Sequence, residues 1–157
     1  NYLFYKFIRL SLPGAKFIHC HRDPWDNAIS LFKQNYAVNI FYASSFFGIA
    51  NELANYEHLI QFWKKIDGDQ CMLDVKYEKL VQNELEVASE IWKHCDLEGN
   101  YDPLKRKKHF AFTASMQQIS KEIYLTSLDK KDFVDFRDGF MIDLQTQRDF
   151  WKKKLKN

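Results

Sequence analysis

Two stretches with the pattern of short strands, KFIHC at 16–20 and CMLDVKY at 71–77, stand roughly fifty residues apart, and most of what separates them is patterned as helix. Strands that pair through a tight turn run antiparallel, whereas strands joined by a long helical crossover run parallel with helices packed on the sheet. In the second stretch Cys71, Leu73, Val75 and Tyr77 alternate with Met72, Asp74 and Lys76, the period of two that a strand requires. Around these stretches the period lengthens. Leu3, Phe4, Phe7 and Ile8 sit at helical spacing in YLFYKFIRL, which LPGA at 12–15 terminates, and this segment reads as a buried helix. From Phe46, the residues Ile49, Leu53, Tyr56, Ile60 and Trp63 mark one face of a long helix ending near DGDQ, expected to pack on the sheet. Leu85, Ala88, Ile91, Trp92 and Cys95 then return to helical spacing. The resulting order, α-β-α-α-β-α, predicts an α/β fold with a mainly parallel sheet flanked by helices.

The pattern loosens over 103–143, where loops and short helices are expected. Leu144, Trp151 and Leu155 can share one side of a terminal helix, with Lys152 to Lys154 and Lys156 on its solvated face. A length of 157 residues fits a single domain over the whole chain, and an apolar fraction of 46% excludes the composition of disorder. The formal net charge of +2 argues against a surface built wholly for nucleic acid. The basic run in LKRKKHF reads first as a solubilising loop, and nucleic acid is not the expected partner. No apolar run has the roughly 18 residues of a membrane span, so no membrane partner is expected. Cys20, Cys71 and Cys95 are odd in number and lack the C-x-x-C spacing, which points to a reducing compartment, the cytoplasm.

Chemistry concentrates in HCHRDPWDNAIS at 19–30. Asp23 followed by Pro24 is an N-cap and first helical residue, and Asp26 suits the amides of the first turn. A strand feeding a helix through a turn gathers free amides and the positive end of the helix dipole at one spot, which suits an anion. Arg22 enters that spot from the strand end with a planar, always-charged fork, and Ser30 lies seven residues beyond Asp23, nearly two turns along the same side. Together they could hold one phosphate. On spacing alone the plain reading has the edge: Asp23 caps the helix or pairs with Arg22, and Ser30 is an ordinary helical serine.

The segment PGAKFIHCHRDPWDNAISLFKQNY resembles the 3′-phosphate-binding segment of the sulfotransferases, a strand, an Arg, a tight turn and a helix with Ser eight residues after the Arg. It is most similar to the bacterial tetratricopeptide-linked and the tyrosylprotein sulfotransferases. LDVKYEKLVQN resembles their strand-Tyr-Glu-x-Leu-Val segment, and TASMQQISKEIYLTSLDK their Ser-x-x-Gln-Val block, with Ser115, Gln118 and Lys130 at matched positions. The resemblance implies a P-loop-like sulfotransferase fold whose donor is 3′-phosphoadenosine 5′-phosphosulfate and whose reaction moves a sulfuryl group to a hydroxyl or amine acceptor, without a metal. It implies Arg22 and Ser30 on the 3′-phosphate and Tyr77 beside the nucleotide. Ser115, the residue assigned to catalysis, and Lys130 would close over the nucleotide from the C-terminal block.

Lys131 stands where the family usually has Trp, and Glu122 where it usually has Pro. The family's N-terminal strand and glycine-rich phosphosulfate loop have no counterpart: Gly14, Gly48, Gly68, Gly99 and Gly139 are isolated from one another. With that loop go the family's catalytic Lys or Arg and its usual base. The chain is therefore expected to be the C-terminal part of a larger domain, inactive alone, with an open sheet edge that invites a homo-oligomer. The alternative is a non-catalytic binding module of the same fold, using aromatics such as Tyr36, Phe41 and Tyr42. His19, Cys20 and His21 include metal-ligand types, but neighbours on a strand face opposite ways and no distant ligand pair completes a site, so no metal is expected. His94 and Cys95, about 100° apart on a helix, read as packing.

Overall fold

The computed structural model describes residues 2–34, 40–99, 101–102 and 130–154. Among them, two strands pair in parallel, β1 (Ile18–His21) and β2 (Leu73–Lys76), in the register Ile18 to Leu73, His19 to Asp74, Cys20 to Val75 and His21 to Lys76. The parallel pairing follows from the long helical connection. Among the described residues the sheet is smaller than the alternation suggested, and helices dominate: α1 (Tyr5–Ser11), α2 (Pro24–Lys33), α3 (Phe46–Asp67), α4 (Tyr77–Gln82), α5 (Glu84–His94) and α6 (Val134–Lys154).

Local chemistry sets these boundaries. The Asp23 side chain accepts a hydrogen bond from the Asp26 amide at 3.0 Å, with Pro24 at the first helical position, so α2 starts where Asp-Pro requires. Ser45 caps α3 by accepting from the Gly48 amide at 3.0 Å. Gly48 is itself required there, because a Cβ would come within 2.6 Å of the Tyr42 carbonyl oxygen. At the far end, Gly68 stops α3 in a conformation, φ +84° and ψ 156°, that L side chains scarcely adopt.

α3 belongs to two cores. Its first half packs with α2 and α6, where Trp25, Ala28, Ile29, Ile49, Leu53, Phe140 and Leu144 form one apolar cluster. Its second half meets the start of the chain and the approach to β2, where Ile60, Tyr5, Cys71 and Met72 form another, edged by Phe17, Tyr56 and Trp63. The main partner of α3 is thus helix α6, while the sheet meets it through Tyr56 and Lys64.

Four local expectations change. α6 begins at Val134, inside the stretch expected to hold loops and short helices, because Phe140 and Leu144, one turn apart, drop into the α2–α3 groove. α1 turns only Tyr5 fully inward, with its hydroxyl donating to Asp67 and Lys6 and Arg9 paired with the same carboxylate, so Leu3, Phe4 and Phe7 stay exposed. Met72 is as buried as Cys71, since Cys71 lies in a 3-10 turn (Asp69–Cys71) that breaks the alternation before β2 begins. α5 buries Val87 and Ala88 and leaves Leu85 exposed, because Asn83 separates it from α4 and rotates its inner face. Lys152, Lys153 and Lys154 are exposed as the helical pattern suggested.

Candidate functional site

A cleft of about 830 Å³ opens beside β1, between the strand end, one side of α3 and the first residue of α4. The parallel strands both deliver their C-terminal ends to it: His21 and Arg22 leave β1 where Lys76 and Tyr77 leave β2. A hydrogen bond ties the two exits together, from the Asp23 amide to Glu78 Oε1 at 2.9 Å. One acid from the start of α4 thereby holds the turn that carries Arg22. Sequence reasoning quoted Glu78 within its motif without giving it a role, although its place beside Tyr77 was the available signal.

Arg22 lies across the Tyr77 ring, its guanidinium carbon 4.9 Å from the ring centre. Its Nη2 is 3.9 Å from an Asp26 carboxylate oxygen, an ion pair too long for a hydrogen bond. Nε and Nη2 are buried and have no hydrogen-bond partner among the described residues. A guanidinium that is mostly desolvated, stacked on an aromatic and still holding unused donors is arranged to receive an anion in the cleft. Two other cations of the cleft are engaged: Arg148 meets Glu57 in a two-pronged pair at 2.7 Å and 2.7 Å, and Lys64 pairs with Asp74.

Of the residues singled out from the sequence, Arg22 and Tyr77 are brought together on the cleft wall. Ser30 lies half-buried on α2 and is not among the described residues that line the cleft. Ser115 and Gln118 lie outside the described residues, as do Glu122, Tyr36 and the basic run at 105–109. Lys130 opens a 3-10 turn (Lys130–Phe133) leading into α6, and its side chain lies outside what is described. Asp23 caps α2, as the plain reading had it, and Arg22 pairs with Asp26 instead.

The histidines of β1 carry further polarity into the cleft. His19 Nδ1 is 2.6 Å from Asp74 Oδ1, its partner across the ladder, and the His19 and His21 rings stack at 5.4 Å. Partial burial pushes the Asp74 carboxyl up, but hydrogen bonds from Lys64 and His19 outweigh it and hold the group below the ordinary carboxylate range. Burial, with the neighbouring His19, lowers the pKa of His21. Tyr56, which packs on His19 at 5.6 Å, is pushed up to about 12, first by burial and then by nearby Cys20, Asp74 and Glu57. His94 Nε2 lies 3.0 Å from the Phe17 carbonyl oxygen, a packing role that donates when Nε2 carries the proton. Among the described residues, no three His, Cys, Asp or Glu side chains converge to hold a metal ion, and no helix is long and apolar enough to cross a membrane.

A protein of Aquifex aeolicus (strain VF5), called only "Uncharacterized protein", is 29% identical over 135 residues, covering 83% of this chain. The chain spans 18% of that relative's length. No solved structure matches it significantly. A family profile described as "Sulfotransferase family" matches residues 1–103, which includes the β1–α2 turn and Tyr77 and stops short of Ser115 and Lys130. The match takes in both strands and, Arg148 apart, the residues that line the cleft they open onto, and the chain belongs to the sulfotransferase family.

Proposed function

We propose that the chain forms the 3′-phosphate-binding part of a sulfotransferase and that its donor is 3′-phosphoadenosine 5′-phosphosulfate. In this reading Arg22 and Ser30 hold the 3′-phosphate, Tyr77 lies beside the nucleotide, and Ser115 and Lys130 close over it. The transfer delivers a sulfuryl group to a hydroxyl or amine acceptor, and the chain by itself is not expected to turn over efficiently, since it carries no glycine-rich loop for the phosphosulfate. The observation that carries the proposal is the Arg22 guanidinium, whose buried Nε and Nη2 donors have no hydrogen-bond partner among the described residues, at the C-terminal end of a parallel strand just before a capped helix. Ligands of open parallel sheets bind outside the carboxyl ends of the strands, and a phosphate there meets both the cation and the first-turn amides.

When bound, the donor supplies the activated sulfuryl group. The residues of this chain bind, orient and balance charge. Arg22 contributes a fixed cation whose position Tyr77 and Asp26 set, while Glu78 fixes the turn that carries it. The test is calorimetry with the product nucleotide, 3′-phosphoadenosine 5′-phosphate. Arg22→Ala is expected to weaken binding about 10- to 100-fold, the scale of one or two charge-assisted hydrogen bonds. Equal affinity in wild type and variant would remove Arg22 from the site.

A further inference from the structure

We propose that a polar pocket between α3 and α6 holds the sugar ring of a carbohydrate acceptor beside the cleft that carries Arg22. This inference rests on the donor reading above and names the acceptor class that reading leaves open.

The pocket begins where the apolar contact between the two helices ends. α3 and α6 share the core through Leu53, Ala54, Phe140 and Leu144. Beyond it the lining turns polar, with Glu57, His58 and Gln61 from α3 and Gln145, Arg148 and Lys152 from α6, at the three- and four-residue spacings that keep side chains on one side of a helix. The pocket measures about 370 Å³, within the range of roughly 300–1,000 Å³ of small-molecule sites. Glu57, His58 and Arg148 are half-buried, while Gln61, Gln145 and Lys152 are exposed. Glu57, Gln61 and Arg148 also line the cleft, so the two cavities share a wall.

The hydrogen-bonding groups select the ligand. The pair with Glu57 uses Nε and Nη2 of Arg148 and leaves Nη1 without a partner among the described residues. Gln145 donates to Asp149 at 3.0 Å, which leaves its carbonyl oxygen as an acceptor. Gln61 offers both kinds of group, and Lys152 only donates. A hydroxyl is donor and acceptor at once and answers both. A sulfate or carboxylate only accepts and would meet the Glu57 carboxylate, whereas a phenol or lipid chain would find one apolar lining residue, Ala54, and would desolvate the charged pair. A compact ring bearing several hydroxyls is what remains. Trp151 adds an independent observation: its ring stacks on His58 at 5.8 Å, and its Nε1 is buried with no hydrogen-bond partner among the described residues. This end of the helix pair thus carries donor capacity that those residues do not satisfy. α6 also lies outside the residues 1–103 that the family profile matches, and acceptor choice belongs on an element that a shared donor site does not dictate.

The test follows the ¹⁵N-labelled full chain by proton–nitrogen correlation while glucose, galactose, mannose or N-acetylglucosamine is titrated, with phenol and sulfate as contrasting probes. The Trp151 indole signal, assigned by its loss in Trp151→Phe, is expected to shift saturably with at least one of the sugars. Gln145→Leu and Lys152→Met change residues that line the pocket and not the cleft. Each is expected to weaken that sugar about 10-fold, the scale of one lost hydrogen bond, and to leave the affinity for 3′-phosphoadenosine 5′-phosphate unchanged. Either variant suffices if the other does not fold. The sugar is expected to bind with the product nucleotide at saturation, as an acceptor must. No saturable shift with any sugar, a response confined to phenol or sulfate, unchanged affinity in the folded variants, or exclusion of the sugar by the nucleotide overturns the inference. A chain that binds the sugar through these residues and does not bind the nucleotide refutes the donor reading instead and leaves the pocket a carbohydrate site.

Discussion

Phe140→Ala tests the element least expected from the sequence. The side chain is 1% exposed on α6, wedged against Trp25 at 5.4 Å and Phe46 at 6.3 Å between ring centres. Removing a buried phenyl ring from a packed site costs about 3–5 kcal/mol in lost transfer energy and residual cavity. Each aromatic partner adds about 0.5–1.5 kcal/mol to what is lost, placing the expected value toward the upper end. Against a total stability of about 5–15 kcal/mol, that is a large share. In urea, at a slope of about 2 kcal/mol per molar, the midpoint should fall by about 2 M with the slope unchanged. Ile142→Ala, two positions away and 67% exposed, is the control and should change stability by no more than about 0.5 kcal/mol. A loss below about 1 kcal/mol for Phe140→Ala, or equal losses in the two variants, would show that α6 does not seat on α2 and α3 and would refute the core described here.

Two other outcomes follow from single residues. Gly68→Ala forces a side chain into a backbone region open almost only to glycine and should destabilise the chain by about 1–3 kcal/mol, read as a lowered denaturation midpoint. His21, whose folded pKa is depressed chiefly by burial, contributes stability that is complete above its unfolded value of about 6.5 and is lost as pH falls toward the folded value. His21→Gln should therefore flatten the pH dependence of stability in that window, measured by denaturation at a series of pH values, and an unchanged slope would count against the burial.

What the sequence made legible was local. Asp23 and Pro24 carry their helix start in their own chemistry, and Gly68 marks the end of α3 in the same way. The parallel pairing could be read because only connection length decides it. α6 was not legible because its anchors, Phe140 and Leu144, are interleaved with charged and exposed apolar residues, and nothing in the spacing separates Phe140 from exposed Phe136 or Ile142. α1 shows the converse: its apolar spacing is real, yet only Tyr5 finds a fully buried place among the described residues. Arg22 and Tyr77 could be matched to a known pattern one segment at a time. The His19–Asp74 pair could not, since its members are separated by 55 positions and only the strand register brings them together.

That register makes the pair all-or-none. Facing residues of β1 and β2 are set by a ladder four positions long, and side chains alternate sides along each strand. Deleting Ile18, Cys20 or His21 would leave both the histidine and the aspartate in the protein yet shift the register that sets them on one side of the sheet. Strand length therefore constrains the pair more tightly than strand composition: a swap of one apolar residue for another in either strand is tolerable, whereas an insertion or deletion there dismantles the polar wall of the cleft in a single step.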